Sequence, residues 1–107
     1  MRTETLILEN LIYNDNYSSI VGTFLKPEYF KENADKQVFI EIQKHITEYN
    51  SPPSIEVLSV KLNNREDLNE STFKSCQELL KTLKAKTDDE QWLTEETETW
   101  AKNQAVY

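Results

Sequence analysis

The chain has one histidine, His45, and one cysteine, Cys76, the side chains best suited to general-base, nucleophilic or zinc chemistry. His45 stands one residue before Ile46 on a segment with helical periodicity, and we interpret it as a surface or boundary residue. Cys76 shares an apolar stripe with Phe73 and Leu80, which indicates a buried structural thiol. Zinc takes about three or four protein ligands, so these two residues cannot form a zinc site without carboxylates.

The glycine content excludes a phosphate-binding loop of the Walker type. Such a loop requires a pair of glycines, the second followed by Lys-Ser or Lys-Thr, and Gly22 is the only glycine of the chain. The many carboxylates are explained by a solvated surface and form no pattern that indicates an acid–base pair. We therefore expect a non-catalytic chain without catalytic, cofactor-binding or metal-binding residues.

Length and composition indicate one globular domain. The chain has 107 residues, of which 37% are hydrophobic and 29% charged, a balance too apolar for a disordered protein. No apolar run approaches the roughly 20 residues that a membrane-spanning helix needs. The first residues lack the apolar stretch and small-residue site expected of a signal peptide, and one cysteine agrees with a reducing compartment. We expect a cytoplasmic protein without membrane contact.

The net charge of −7 is concentrated near the C-terminal end. Residues 87–107 contain six acidic residues and one basic residue, Lys102, which gives this segment a net charge of −5. Because DNA affinity grows with the number of phosphates neutralised by Lys and Arg, this chain alone is expected to bind nucleic acid weakly. A lysine set on and after the fifth predicted helix, at positions 74, 81, 84 and 86, is interpreted as a solvated face.

The spacing of apolar residues predicts an all-α fold, a compact bundle of about six helices. One glycine and three prolines supply too few turn residues for β-hairpins. The predicted helices cover approximately residues 3–14, 16–25, 34–49, 54–62, 71–83 and 87 onward, with a short helical turn at 27–30. Ile20 and Tyr49 are expected to point inward. The assigned core is Leu11, Phe24, Phe30, Val38, Phe39, Ile42, Ile46, Leu58, Leu62, Phe73, Leu80, Leu83 and Trp92.

Residue types at the expected helix starts predict the caps. Asp15 or Asn16 is expected to cap the second helix and Ser54 the fourth. Thr87 and Glu90, three residues apart, are interpreted as a capping box for the final helix. Ser51-Pro52-Pro53 is expected to end the third helix, because proline lacks the backbone N–H that the helix requires.

The final helix carries both tryptophans. Leu93, Trp100 and Ala101 share one face, and Trp92 points to a neighbouring face. Exposed aromatic side chains are costly unless another surface covers them, so we predict an interface on this helix. The residues assigned to a subunit or partner interface are Leu93, Trp100, Val106 and Tyr107.

The final helix has no glycine, proline or basic last turn to end it. We therefore interpret it as the first arm of a helical hairpin cut short. On this interpretation residues 1–86 form a globular helical head, and residues 87–107 begin the hairpin within the same domain.

An ordered series of short motifs runs along the chain. Its central part is Glu28-Tyr29-Phe30, Val38-Phe39 with Ile42, Tyr49-Asn50-Ser51, Pro52-Pro53-Ser54-Ile55, Leu58 and Leu62. The series resembles the N-terminal domain of DnaB-type hexameric replicative helicases, in the form found in T-even-type phages. Glu4 to Asn14 is similar to the opening helix of that domain. Trp92-Leu93 with the acids at 95, 96 and 98 is similar to the start of its helical hairpin.

The sequence departs from the bacterial form of this family at two places. Lys36-Gln37-Val38 stands where bacterial relatives usually carry a His-Arg-like pair, and Ser54 stands where they favour an acidic cap. These differences place the chain nearer to phage helicases and put a bacterial partner in doubt.

The resemblance implies a collar that supports assembly of helicase subunits and docks primase and the helicase loader. ATP and Mg²⁺ would then belong to a motor domain C-terminal to Tyr107, and the protein would act in the cytoplasm of a phage-infected bacterial host. Two alternatives remain, a free-standing acidic phage adaptor or inhibitor and the helicase-binding domain of a primase. An exposed Trp100 would favour a missing partner surface, whereas a buried Trp100 would favour a finished small protein.

Overall fold

The computed structural model describes residues 3–85 and 89–105. Within these ranges it contains six α-helices, one 3₁₀ turn and no strand. The elements are α1 (Thr3–Tyr13), α2 (Asp15–Val21), the 3₁₀ turn (Pro27–Tyr29), α3 (Asn33–Tyr49), α4 (Ile55–Asn63), α5 (Glu70–Thr82) and α6 (Glu90–Ala105). The predicted all-α bundle is confirmed. No helix of the described ranges is long and apolar enough to cross a membrane.

Helix α1 lies at the centre of the bundle, because residues 7–12 are all buried and it packs against α2, α3 and α6. Two polar side chains within this buried run are accommodated by hydrogen bonds. Asn10 Nδ2 donates to the Leu6 carbonyl at 2.9 Å, and Glu9 Oε1 accepts from the Lys84 backbone N–H at 3.3 Å. The second bond joins α1 to the segment that follows α5, so Glu9 also fixes the position of the chain where it leaves that helix.

Helix α2 is shorter than expected and has a different cap. Asn14, rather than Asp15 or Asn16, is the N-cap, and its side chain accepts from the Tyr17 N–H at 3.1 Å. The helix ends at Val21, and Gly22 follows. A Cβ atom on Gly22 would lie 2.8 Å from the Ser18 carbonyl oxygen, so this close approach favours glycine.

Helix α3 packs against α4, α5, α1 and the 3₁₀ turn. It ends at Tyr49 because Asn50 adopts a left-handed conformation (φ 57°) and donates its N–H to the Ile46 carbonyl at 2.7 Å. The prolines follow this cap. Tyr49 was expected inside, but it is 58% exposed, because it lies in the last turn, where its ring packs beside His45 and under the Lys61 ammonium group.

The starts of the last three helices are fixed by side-chain caps. Ser54 Oγ accepts from the Val57 N–H at 3.2 Å, so the predicted cap of α4 is confirmed. Helix α5 begins at Glu70, one residue before the expected start at 71, and Asn69 caps it by accepting from the Thr72 N–H at 2.7 Å. Asp89 caps α6 by accepting from the Trp92 N–H at 3.0 Å.

The predicted capping box of α6 therefore needs correction. The helix begins at Glu90, directly after Asp89, so the cap lies two positions after Thr87. Thr87 itself is outside the described residues. Aspartate is as good a cap as threonine or better, and residue type alone could not decide between two candidates so close together.

Most of the assigned core residues lie inside the bundle. Those that are buried are Leu11, Phe30, Val38, Phe39, Ile42, Leu58, Leu62, Leu80 and Leu83. Phe24 and Ile46 are half-buried and pack against this cluster, and Phe73 is half-buried on α5. Two expectations are wrong, because Trp92 is 49% exposed and Ile20 is 47% exposed. Each lies one position away from an inward-facing residue of its helix, Leu93 on α6 and Val21 on α2.

Candidate interaction surface

The inner face of α6 packs onto α1, α2 and the 3₁₀ turn. Leu93, Thr97, Trp100 and Ala101 form this face and are buried, as their helical spacing predicts. Of the residues assigned to an interface, Leu93 and Trp100 are thus enclosed in the core of this chain, with Trp100 only 9% exposed.

Because the side chains of Leu93 and Trp100 are buried, they offer no surface that would support their assignment to an interface. The other two assigned residues, Val106 and Tyr107, lie outside the described residues.

Trp100 belongs to an aromatic cluster that joins α6 to the start of α3. Its ring centroid lies 5.1 Å from that of Phe30 and 6.4 Å from that of Tyr29, the latter in an edge-to-face arrangement. Phe30 in turn stacks on Phe39 at 4.9 Å. Aromatic pairs at these separations add about 0.5–1.5 kcal/mol beyond the burial of their surfaces. The cluster therefore fixes the position of α6 against the bundle.

A buried hydrogen bond fixes α6 against α2. The Tyr17 hydroxyl and Thr97 Oγ1 lie 2.6 Å apart, and Thr97 Oγ1 also donates to the Leu93 carbonyl at 2.7 Å. Because the single hydroxyl proton of Thr97 is used in the second bond, Tyr17 is the donor in the first. Burial raises the pKa of the Tyr17 phenol, so it keeps this proton at neutral pH.

The outer side of α6 is acidic. Asp89, Glu95, Glu96 and Glu98 are exposed, and Lys102 is the only basic residue of the helix. Within residues 3–85 and 89–105 none of these acids forms an ion pair, whereas Glu41 of α3 and Asp67 of the loop before α5 do. The acids of α6 are therefore available to a cationic surface.

Two grooves flank α2. The first, of about 470 Å³, lies between α2 and α3, with the buried side chains of Leu11, Phe39 and Ile42 at its base. The second, of about 600 Å³, lies between α2 and α6. We call the second the α2–α6 groove; it is lined by Ile20, Asp89, Glu90, Gln91, Thr94 and Glu95.

The α2–α6 groove was not predicted from the sequence, because Ile20 was expected to point inward. The spacing of apolar residues in the short second helix could have shown that Ile20 is exposed. Tyr17 and Val21 are one turn apart and define its inward face, so Ile20 falls beside that face rather than on it.

The residues with potential for catalysis are placed for packing. Cys76 is buried, its Sγ lies 3.9 Å from the Ala34 carbonyl oxygen, and burial raises the pKa of its thiol. The pKa of His45 is lowered, first by burial and then by the nearby Lys61 charge. No group of three or more metal-ligating side chains is found within the described ranges.

Comparison with known proteins gives one informative match. No protein-family model matches the sequence. The chain is 33% identical over 102 residues to the DnaB-like replicative helicase of Enterobacteria phage T4. The match covers 95% of this chain and 21% of the length of that relative. The resemblance to DnaB-type phage helicases is thereby confirmed, and the match is consistent with an N-terminal domain of such a helicase.

Proposed function

We propose that this chain, a relative of the DnaB-like replicative helicase of phage T4, is the non-catalytic N-terminal collar domain of a phage replicative helicase. The match over 95% of the chain is the observation that carries the proposal. In this role the domain supports assembly of the helicase hexamer and docks primase or the helicase loader. The ATP and Mg²⁺ site belongs to a motor domain, and the small share of the relative that is matched, 21%, agrees with this division.

The surface of the domain supports a role in protein contacts rather than in gripping DNA. The net charge is −7, and the outer side of α6 carries exposed acids. A phosphate backbone would be repelled by such a surface. A collar that contacts other proteins does not need basic residues on this side.

The burial of α6 residues in the fold changes which of them we assign to the interface. Leu93 and Trp100 act in our proposal by holding α6 in place, since their side chains are buried. Val106 and Tyr107 remain proposed contact residues. Trp92 is the exposed aromatic side chain of α6 and joins them as a candidate contact.

The proposal is tested on the natural full-length protein. Sequencing of the reading frame beyond Tyr107 is expected to show a second amphipathic helix and then a Walker loop. The purified full-length protein is expected to hydrolyse ATP in a DNA-stimulated manner and to form hexamers by native mass spectrometry. Deletion of residues 1–107 is expected to weaken hexamer formation and abolish stimulation by primase or loader while the Walker loop remains intact. Unchanged assembly and unchanged partner stimulation would contradict the proposal.

A free-standing acidic adaptor is the second candidate function. The burial of Trp100, 9% exposed, favours it because the apolar face of α6 is already covered within this chain. A stop codon directly after Tyr107 would support the adaptor and exclude the collar. Pull-down with the 107-residue chain would then be the route to its partner.

A further inference from the structure

We propose that the α2–α6 groove binds a cationic, amphipathic segment of a partner protein. An apolar side chain of the segment packs on Ile20, and its Lys or Arg side chains pair with Asp89, Glu90 and Glu95. This inference deepens the proposed function by assigning a partner site, and it rests on that function only for the identity of the partner.

The groove is held in shape by buried contacts beneath it. Tyr17 and Thr97 form the hydrogen bond between α2 and α6. On the groove side, Ile20 lies three residues after Tyr17 on α2, and Thr94 lies three residues before Thr97 on α6. Both steps amount to about one helical turn, so the packing that places Tyr17 also places Ile20. A groove whose walls are fixed in this way loses little entropy when a partner binds.

Ile20 provides an exposed apolar surface for an anchor. It is 47% exposed, next to Val21, which is buried. The groove volume of about 600 Å³ is large enough for one or two partner side chains. Amphipathic helices bind such grooves through a few apolar anchors with the remaining side chains at the rim.

The rim determines the charge of the occupant. Asp89, Glu90 and Glu95 line the groove, and among residues 3–85 and 89–105 no basic side chain lines it. Within residues 3–85 and 89–105 none of these acids forms an ion pair. Lys or Arg side chains at the rim would relieve repulsion among the acids and would speed association at low salt.

The overall charge favours a different protein over a second copy of this chain. Each copy carries a net charge of −7, so two copies repel each other at long range, and contacts between subunits of a hexamer would have to use surfaces other than this groove. The chain does offer exposed lysines on and after α5, at positions 74, 81 and 84, and their insertion into the groove of a neighbour is the competing arrangement. A basic partner segment meets no such repulsion.

The first experiment measures binding of fluorescein-labelled peptides to the 107-residue chain by anisotropy. The probe is a Lys/Leu/Ala peptide of about 14 residues with its leucines on one helical face. A scrambled peptide of the same composition is the control. We expect the first peptide to bind at least about tenfold more tightly than the scrambled one.

Paired variants locate the binding site. Ile20→Ser is expected to weaken binding about fivefold or more. The matched control is Val60→Ser on α4, since Val60 is 59% exposed and lies outside the groove, and it should leave binding unchanged. Circular dichroism before titration confirms that both variants fold.

A second pair tests the charges. The double variant Glu90→Gln/Glu95→Gln is expected to weaken binding and to reduce its dependence on salt. The control, Glu56→Gln/Glu66→Gln, removes the same charge from exposed positions outside the groove. It should have a much smaller effect.

Three results would overturn the inference. Equal binding of the scrambled peptide, or equal losses in the groove and control variants, would mean that the net charge alone attracts the peptide. Self-association in sedimentation velocity that Ile20→Ser abolishes would make a second copy the occupant. The peptide and variant results leave the collar proposal untouched, because that proposal is tested by assembly of the full-length protein.

Discussion

Tyr17 donates a hydrogen bond to Thr97 across 80 residues of sequence, with 2.6 Å between the two oxygen atoms. The bond is buried, and it connects α2 to the middle of α6. It lies beneath the α2–α6 groove, so the geometry of the proposed partner site depends on it.

Tyr17→Phe tests the contribution of this bond. Thr97 keeps its bond to the Leu93 carbonyl, so the variant loses one hydrogen bond without leaving a charged group unpaired. We expect the free energy of unfolding to fall by about 1 kcal/mol, measured by urea denaturation. Tyr13→Phe, at an exposed position on α1, is the control and should change stability little. A loss of equal size in both variants would contradict the assignment.

The Tyr17 phenol also predicts a dependence of stability on alkaline pH. Burial raises its pKa in the folded protein above the ordinary value of 10.0. Above that pH the unfolded chain releases the proton first, so stability is fully present below about pH 10 and is lost as pH rises through the folded-state pKa. The free energy of unfolding should therefore fall more steeply between about pH 10 and 12 in the natural protein than in Tyr17→Phe. If the free energy of unfolding has the same dependence on pH in both proteins, the raised pKa of Tyr17 is contradicted.

Replacing each of the two tryptophans by alanine is expected to affect stability very differently. Trp100→Ala removes a side chain from the aromatic cluster with Phe30 and Tyr29 and should cost about 3–5 kcal/mol. Trp92→Ala removes an exposed side chain and should change stability by less than about 0.5 kcal/mol. Thermal and urea unfolding measure both. Acrylamide should quench the fluorescence of Trp100→Phe, which retains Trp92, more strongly than that of Trp92→Phe. The reverse order would contradict the fold of α6.

Arg65 lies in the loop between α4 and α5, and its ion pairs are expected to stabilise the fold. Its guanidinium group binds both carboxylate oxygens of Asp67, at 3.0 and 2.6 Å, and reaches the buried Glu41 at 3.3 Å. Arg65→Gln would leave the Glu41 carboxylate with the more distant Lys44 alone, and we expect a loss of about 2 kcal/mol in urea denaturation.

Two controls accompany the Arg65 variant. Asp67→Asn changes an exposed partner and should cost less. Glu41→Gln combined with Arg65→Gln should recover part of the loss, because no buried carboxylate is then left weakly paired. A double variant as unstable as the sum of the single variants would contradict a direct interaction between Glu41 and Arg65.

The local sequence was sufficient to predict the helices and their order. The apolar spacing of α3 and the serine before α4 depend on neighbours within one or two turns, so the third helix and the Ser54 cap are found where they were expected. The ordered motifs from Glu28 to Leu62 also identified the helicase relationship that the T4 match confirms.

Only the tertiary structure decided which flank of each helix meets another helix. Trp92 and Trp100 are eight residues apart and differ by roughly 80° around the axis, enough for one to be exposed and the other buried. Ile20 and Tyr17 are three residues apart on α2 and differ by roughly 60°, and again one is exposed and the other buried. Helical periodicity defines an apolar face, but the residues at its edges are buried or exposed according to where the neighbouring helix lies. That position is set by long-range contacts such as Tyr17 with Thr97, and no local pattern encodes them.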